Sequence, residues 1–297
     1  MATYNGARFV QEQLDSIAAQ IGVDWQLVVS DDGSTDETAA IVAAFSRAHP
    51  GRVRWVEGPR QGPCANFRHL INHIPANADL VAFSDQDDVW TPLKLERAVH
   101  ALSQEPSGKC ALYCSRTIVV NDDLTHKSLS RKLRVNPSFS NAIIQNIAGG
   151  NTMVINRHAV KLMKAVNSEA GEIVIHDWWI YQIITGVGGA VFFDHEPCVM
   201  YRQHGNNVIG HRSGFYEAIQ RIISADLKKW NKTNVAALTA SSHRFTTSNK
   251  KTLDAFNRAI SSQTVFRRLH ALWQSGVHRQ SMHSNIALWI DALMNRL

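Results

Sequence analysis

The sequence predicts an α/β protein: a mixed, mostly parallel sheet flanked by helices, followed by a helical extension at the carboxyl end. Three observations carry that expectation. Short apolar runs rich in β-branched residues alternate with helical patterns over short connections, as βαβ units require. Turn-forming or acidic residues follow the runs at once, at Thr3-Tyr4-Asn5-Gly6, Asp31-Asp32-Gly33 and Asp85-Gln86-Asp87-Asp88. From about Ser213 the pattern is helical and basic.

Taken in order, Asn5-Gly6 is turn chemistry that favours positive φ, and Phe9, Leu14, Ile17 and Ala18 follow at helical spacing. A turn entering a helix normally leaves a strand, yet only Met1 and Ala2 precede it, so the first strand is expected to lack several residues. Trp25 to Ser30 reads as a strand broken by Asp31-Asp32-Gly33-Ser34, with Ser34 or Thr35 capping a helix over Thr38 to Phe45. Val53 to Val56 is a further strand, ended by Gly58-Pro59. A helix through Asn66 to Ile71 leads to the strand at Leu80 to Phe83. Cys110 to Val120 reads as a strand, Asn121-Asp122-Asp123 as a hairpin turn, and Ala142 to Asn146 as a short helix. Gly149-Gly150-Asn151 then precedes a strand at Thr152 to Ile155, a helix around Val160 to Val166, a helix opening at His176 and a strand at Ala190 to Phe193. Tyr201 to Asn207 has no clear periodicity. The rest is helical and punctuated by Trp230, Trp273 and Trp289.

With 297 residues, 44% hydrophobic and 19% charged, the chain can bury a substantial core and is not disordered. The expected division is residues 1–212 and 213–297. Charge supports it: residues 1–212 carry 19 basic against 21 acidic side chains, and residues 213–297 carry 12 against 4. The four cysteines form no CxxC pair and read as reduced core thiols in a cytosolic compartment. Met1 to Gly6 has no signal-peptide character, and the apolar stretch Trp178 to Phe193 is too short and interrupted to span a bilayer. The basic tail has spaced charges and no recognised nucleic-acid module, so no nucleic acid is expected as a partner. It reads as a solvated helical face or as a surface that adsorbs to an anionic membrane.

Three carboxylates lie within Asp85-Gln86-Asp87-Asp88. Like charges so close point to a hard divalent cation, Mg²⁺ or Mn²⁺, and through it to a phosphorylated donor. The alternative is a helix start, since Thr91-Pro92 and Leu93 follow. Asp31-Asp32-Gly33-Ser34 is either a helix start or a carboxylate that accepts the imide N–H of a uracil or thymine ring. Asp177 stands between His176 and two tryptophans, which would desolvate it and tune it as a general base; it also suits a helix N-cap. His204 and Arg202 sit where they could meet a diphosphate or complete a metal shell, although a lone histidine is more often structural.

Together these residues resemble the family-2 glycosyltransferases with the GT-A fold. Ala2-Thr3-Tyr4-Asn5-Gly6, Val29 to Asp36 and Phe83 to Trp90 match that family's nucleotide-sugar signatures in order and spacing, over roughly residues 1–210. The resemblance implies that Thr3, Tyr4, Asn5, Asp32 and Gln86 belong to the donor site, with Tyr4 and Asp32 at the base and Asp31 supporting them. It implies further that Asp85 meets the ribose, and that Asp87, with Asp85 and His204, holds Mg²⁺ or Mn²⁺. Gly149, Gly150 and Asn151 look like the segment under the sugar. Asp177 falls at the family's base, with His176 where an acidic neighbour is usual. The Asp-Gln-Asp-Asp-Val-Trp form is most similar to rhamnosyltransferase-like members that build bacterial surface polysaccharides. It implies a dTDP-rhamnose donor and a saccharide or lipid-linked acceptor, while the cysteines point to the cytoplasm and the basic tail to a peripheral place at the cytoplasmic face of the inner membrane. A nucleotidyltransferase acting on sugar phosphates and a non-catalytic polysaccharide-synthesis binding protein are the competing readings.

Overall fold

The computed structural model describes residues 1–105, 108–203 and 216–297. In chain order the elements begin β1 (Ala2–Thr3), α1 (Val10–Ala18), β2 (Leu27–Asp31), α2 (Thr38–Ala48), β3 (Val53–Glu57), α3 (Pro63–His73), β4 (Leu80–Ala82) and β5 (Val89–Trp90). They continue α4 (Lys94–Leu102), β6 (Ala111–Val120), β7 (His126–Leu129), α5 (Phe139–Ala142), β8 (Val154–Asn156), α6 (Arg157–Glu169), α7 (His176–Gly186) and β9 (Ala190–Arg202). The remainder is helical: α8 (Tyr216–Ala240), α9 (Thr247–Ser261), α10 (Val265–Ser275) and α11 (Met282–Leu293). The described residues fall into two compact units, one within 1–132, 148–167 and 190–205, the other within 133–147, 168–189 and 206–297.

The first unit holds the sheet. β1, β2 and β3 pair in parallel, with Thr3 opposite Asp31 and Asp31 opposite Glu57. A second run takes the order β4-β8-β6-β9-β5, with β7 on β6. The backbone bond from Ala2 N–H to the Ser84 carbonyl, 3.2 Å, links the two runs. The longest ladders, β2 with β3 and β6 with β9, are parallel. β8 runs antiparallel to β4 and β6, and β5 to β9, so the sheet is mixed as the sequence predicts.

Apolar spacing explains how this sheet is covered. α1 turns Val10, Leu14 and Ile17 inward at a helical period, onto Leu27 and Val29 of β2 together with Val42 and Phe45 of α2. Burying each such side chain contributes about 1.5–3 kcal/mol. β2 is covered on both faces and reads accordingly as a continuous apolar run.

Four local expectations change. Ser34 does not cap α2: Gly33 turns the chain at φ +94, so the Ser34 hydroxyl folds back onto Asp31, and Asp36 accepts the Thr38 N–H instead. The acidic cluster is not a helix start, because β5 intervenes before α4 and pairs with Val199 and Met200. The short helix expected at 142–146 lies at Phe139–Ala142, capped by Ser138, and Gly150–Thr152 is a 3₁₀ turn that delays β8 to Val154. Tyr201 and Arg202, expected in an irregular loop, end the thirteen-residue strand β9.

In the second unit α7 is apolar nearly all round and almost wholly buried. Trp178 donates through Nε1 to the Ala142 carbonyl at 2.6 Å and meets the Trp230 ring edge-on. Phe139 packs edge-on against Phe245. Arg268, though charged, is buried and closes the end of α11 by donating to the Ala292 carbonyl at 2.8 Å. Among the described residues no helix is long and apolar enough to cross a membrane.

Candidate active site

The carboxyl ends of parallel strands leave a rim where backbone groups lack partners, and ligands of open α/β sheets bind there. In the first unit Thr3, Asp31 and the segment after β4 meet at such a rim, because β1 lies between β2 and Ser84. Asp32 N–H donates to the Thr3 carbonyl at 2.8 Å, which ties two of the predicted motifs together.

Each acidic residue there has distinct work. Asp31 accepts from the Thr3 hydroxyl (2.8 Å), the Ser34 hydroxyl (2.6 Å) and the Ser34 N–H (2.8 Å), so it braces the loop from inside. Asp32 accepts from Arg60 N–H at 2.6 Å and Gly62 N–H at 2.7 Å, which leaves each oxygen with further acceptor capacity. Asn5, at φ +45, accepts the Thr35 N–H through its side chain and donates its own N–H to Ser34. The Tyr4 ring is 57% exposed on this frame.

Gln86 does something the sequence does not reveal. Its carboxamide accepts the Tyr4 N–H at 2.8 Å and donates to the Tyr4 carbonyl at 2.9 Å, a two-bond clamp on the turn that carries the ring. Gly6 makes room for it, since a Cβ there would overlap the Gln86 carboxamide. Gly6→Ala is expected to expel Gln86 and cost about 1–2 kcal/mol for the two lost bonds. In a Gln86→Ala background the same change should cost almost nothing. A double-mutant cycle by urea denaturation measures this, and additive losses would refute the clamp.

Asp88 is fully buried, with Asn151 Nδ2 donating to it at 2.5 Å and Arg202 N–H at 3.1 Å. Burial pushes its carboxyl well above the ordinary range, and the neighbouring charges of Asp87 and Asp85 push it further. The Arg202 guanidinium, expected to reach a diphosphate, is 1% exposed. It donates to the Asp87 carbonyl at 2.9 Å, to the Asp122 carbonyl and to Glu12, and lies 4.5 Å over the Phe9 ring. Arg202 thus holds the acidic turn from behind. Asp88→Ala would leave the Asn151 amide and the Arg202 N–H buried without an acceptor, at a cost of about 3 kcal/mol. Urea denaturation checks this, and a loss below about 1 kcal/mol would mean that the site collapses around the gap.

Asp88 and Gly6 stand in the sequence motifs without the roles the structure gives them, and Glu12 stands in none. The only signal for Asp88 was a third carboxylate where two suffice for a metal. Gly149 and Gly150 form the turn that presents the Asn151 amide to Asp88. His204 lies outside the described residues. Asp177 belongs to the second unit, half-buried in the first turn of α7, where its Oδ1 accepts the Trp178 N–H at 2.6 Å. Its neighbour His176 is buried and its imidazole is pushed down to about 3, so it is neutral at pH 7.

Among the described residues no group of three or more His, Cys, Asp or Glu forms a ready metal cage. Mg²⁺ and Mn²⁺ do not need one: one or two carboxylates suffice when phosphate oxygens and water complete the shell. Asp85 and Asp87 stand in the turn after β4, and oxygen donors of this kind and number fit such an ion, whereas Asp88 is buried with both oxygens already accepting hydrogen bonds.

Comparison with known proteins agrees with this geometry. The dTDP-rhamnosyl transferase RfbG of Shigella flexneri is 31% identical over 229 residues, which is 75% of this chain and 78% of the relative. Among solved structures, S. aureus TarS in complex with UDP-GlcNAc superposes with a TM-score of 0.58 at 16% identity, over 98% of this chain and 87% of that one. The mannosyltransferase PcManGT of Pyrobaculum calidifontis, in complex with GDP-Man and Mn²⁺, gives 0.53 at 17% identity, over 100% of this chain and 86% of that one. Both show the GT-A fold. The profile of Glycosyl transferase family 2 matches residues 1–168, more than half of the chain. With these motifs, this fold and that match, the chain belongs to glycosyl transferase family 2.

Proposed function

We propose that this glycosyltransferase transfers a sugar with inversion from a nucleotide-diphosphate donor to a hydroxyl of a growing surface polysaccharide or lipid-linked acceptor. The donor we favour is dTDP-L-rhamnose, on the likeness to RfbG and the Asp85-Gln86-Asp87-Asp88-Val89-Trp90 motif. The observation that carries the reading is the convergence of Tyr4, Asp31, Asp32 and the Asp85–Asp88 turn on one rim of the sheet.

In this reading Tyr4 and Asp32 take the base, the exposed ring by stacking and the carboxylate by accepting the imide N–H. Thr3, Asn5, Asp31 and Gln86 keep that surface rigid. Asp85 meets the ribose, and Asp87 with Asp85 and His204 would hold Mg²⁺ or Mn²⁺, which when bound neutralises charge on the departing diphosphate. Gly149, Gly150 and Asn151 lie under the sugar. Asp177 takes the proton of the acceptor hydroxyl as its oxygen bonds to the anomeric carbon and the bond from that carbon to the diphosphate breaks. Residues 1–212 would make up the catalytic domain. Residues 213–297 would form a basic extension that holds the protein peripherally against an anionic membrane on its cytoplasmic face.

Incubation with dTDP-rhamnose or UDP-sugars and Mn²⁺ tests the chemistry. Slow release of nucleoside diphosphate, removed by EDTA, is the expected result. Pyrophosphate released from a nucleoside triphosphate would favour the nucleotidyltransferase, and binding without release would favour the non-catalytic reading. Activity unchanged by EDTA would remove Asp87 as an essential metal ligand.

A further inference from the structure

An amphipathic helix normally hides its apolar face, yet α11 is apolar on two faces and buries only one. Leu288 and Ala292 point inward and are wholly buried. Met282, Ile286, Trp289, Ile290 and Leu293, which recur at helical spacing, are exposed together. α10 repeats the arrangement with Phe266, 86% exposed, and Trp273, 70% exposed. Isolated exposed apolar residues are ordinary, but contiguous stripes of this kind mark a contact surface.

Charge decides what it contacts. From residue 255 to the end the only carboxylate side chain is Asp291, against five arginines. Asp291 is mostly buried and lies 3.9 Å from Arg279, whereas Arg258, Arg267 and Arg296 are exposed. Arg258 shares its face of α9 with exposed Asp254, but α10, α11 and the residues after them carry exposed Arg267 and Arg296 and no exposed carboxylate side chain, so the apolar surface there has a net cationic surround. A two-fold contact between copies would set like charges against each other. An anionic bilayer complements both properties, and tryptophan favours the headgroup depth at which such helices lie.

We propose that the exposed faces of α10 and α11 seat the protein on an anionic lipid surface, with Ile286, Trp289 and Leu293 entering the headgroup–acyl boundary. This gives the membrane contact of the proposed function a specific face. Its purpose rests on that reading, but its test needs neither donor nor metal, so the two fail separately.

Flotation of the full chain with phosphatidylcholine vesicles, with and without phosphatidylglycerol, is the experiment. Binding is expected to be about tenfold or more stronger with the anionic lipid. The Ile286→Glu, Leu293→Glu double variant should lose about tenfold or more of it. Both side chains are solvent-facing, so its melting temperature should stay close to wild type. As a second readout, brominated lipid should quench tryptophan fluorescence in the wild type, and less so in Trp289→Phe. Failure of the wild type to float with either vesicle overturns the proposal, as does equal binding of wild type and double variant. Concentration-dependent dimerisation abolished by the double variant, without vesicle binding, would assign the face to a second copy and also overturn it.

Discussion

Asp177→Asn is expected to reduce transfer about a thousandfold, within the range general-base removal produces, while donor affinity stays within about a factor of two. Asparagine is the informative replacement. Its side-chain oxygen can still accept the Trp178 N–H that Asp177 now accepts at 2.6 Å, so the first turn of α7 keeps its partner and only the charge is lost. The buried Trp178 and Trp179 belong to the interior of the second unit and do not change. His176 is a poor substitute, because burial pushes its imidazole down to about 3 and so makes it too weak a base to take a hydroxyl proton at pH 7. Initial rates with a saccharide acceptor, beside calorimetry of donor binding, separate the two quantities. Turnover above about a tenth of wild type would move the base role to another residue.

What the sequence made legible follows from range. β2 and β3 are short apolar runs ended by turn chemistry, and every signal needed lies within a few residues. The strand expected at Ala190 to Phe193 runs on in the structure through Asp194-His195-Glu196-Pro197 to Arg202. In the structure Asp194 is held by Arg97 at 2.8 Å and by the Tyr113 hydroxyl at 2.8 Å, and the ladder to β6 slips past it at an irregularity. Partners supplied by other elements made a strand out of a sequence that looks like a loop. The rim divides in the same way. Asp31, Asp32 and Asp85 to Asp88 announced themselves as acidic clusters after strands, but what each does depends on distant groups. Gln86 finds its partner 82 residues away, and Asp88 finds its own 63 and 114 residues away. Local pattern identified the clusters; only the fold shows that Asp31 and Asp88 brace their own turns from inside.

Lys94→Met is expected to stabilise the metal-free protein by about 3 kcal/mol at pH 7. Lys94 is fully buried, and among the described residues its Nζ has no hydrogen-bond partner. Burial pushes its amine down from 10.5 to about 7. That gap corresponds to about 5 kcal/mol withheld from the charged form. The Trp90 face, 3.4 Å from Nζ, returns at most about 2 kcal/mol as a cation–π contact. Desolvation therefore wins, and methionine fills a similar volume without it. The sign with pH follows. Between about pH 7 and 10.5 the unfolded chain holds a proton that the native amine has released, so wild-type stability rises with pH across that window. The advantage of Lys94→Met should shrink accordingly, to below about 1 kcal/mol by pH 10. Urea denaturation in EDTA at several pH values measures both curves; parallel curves would mean that a counter-charge keeps Lys94 protonated in the folded state.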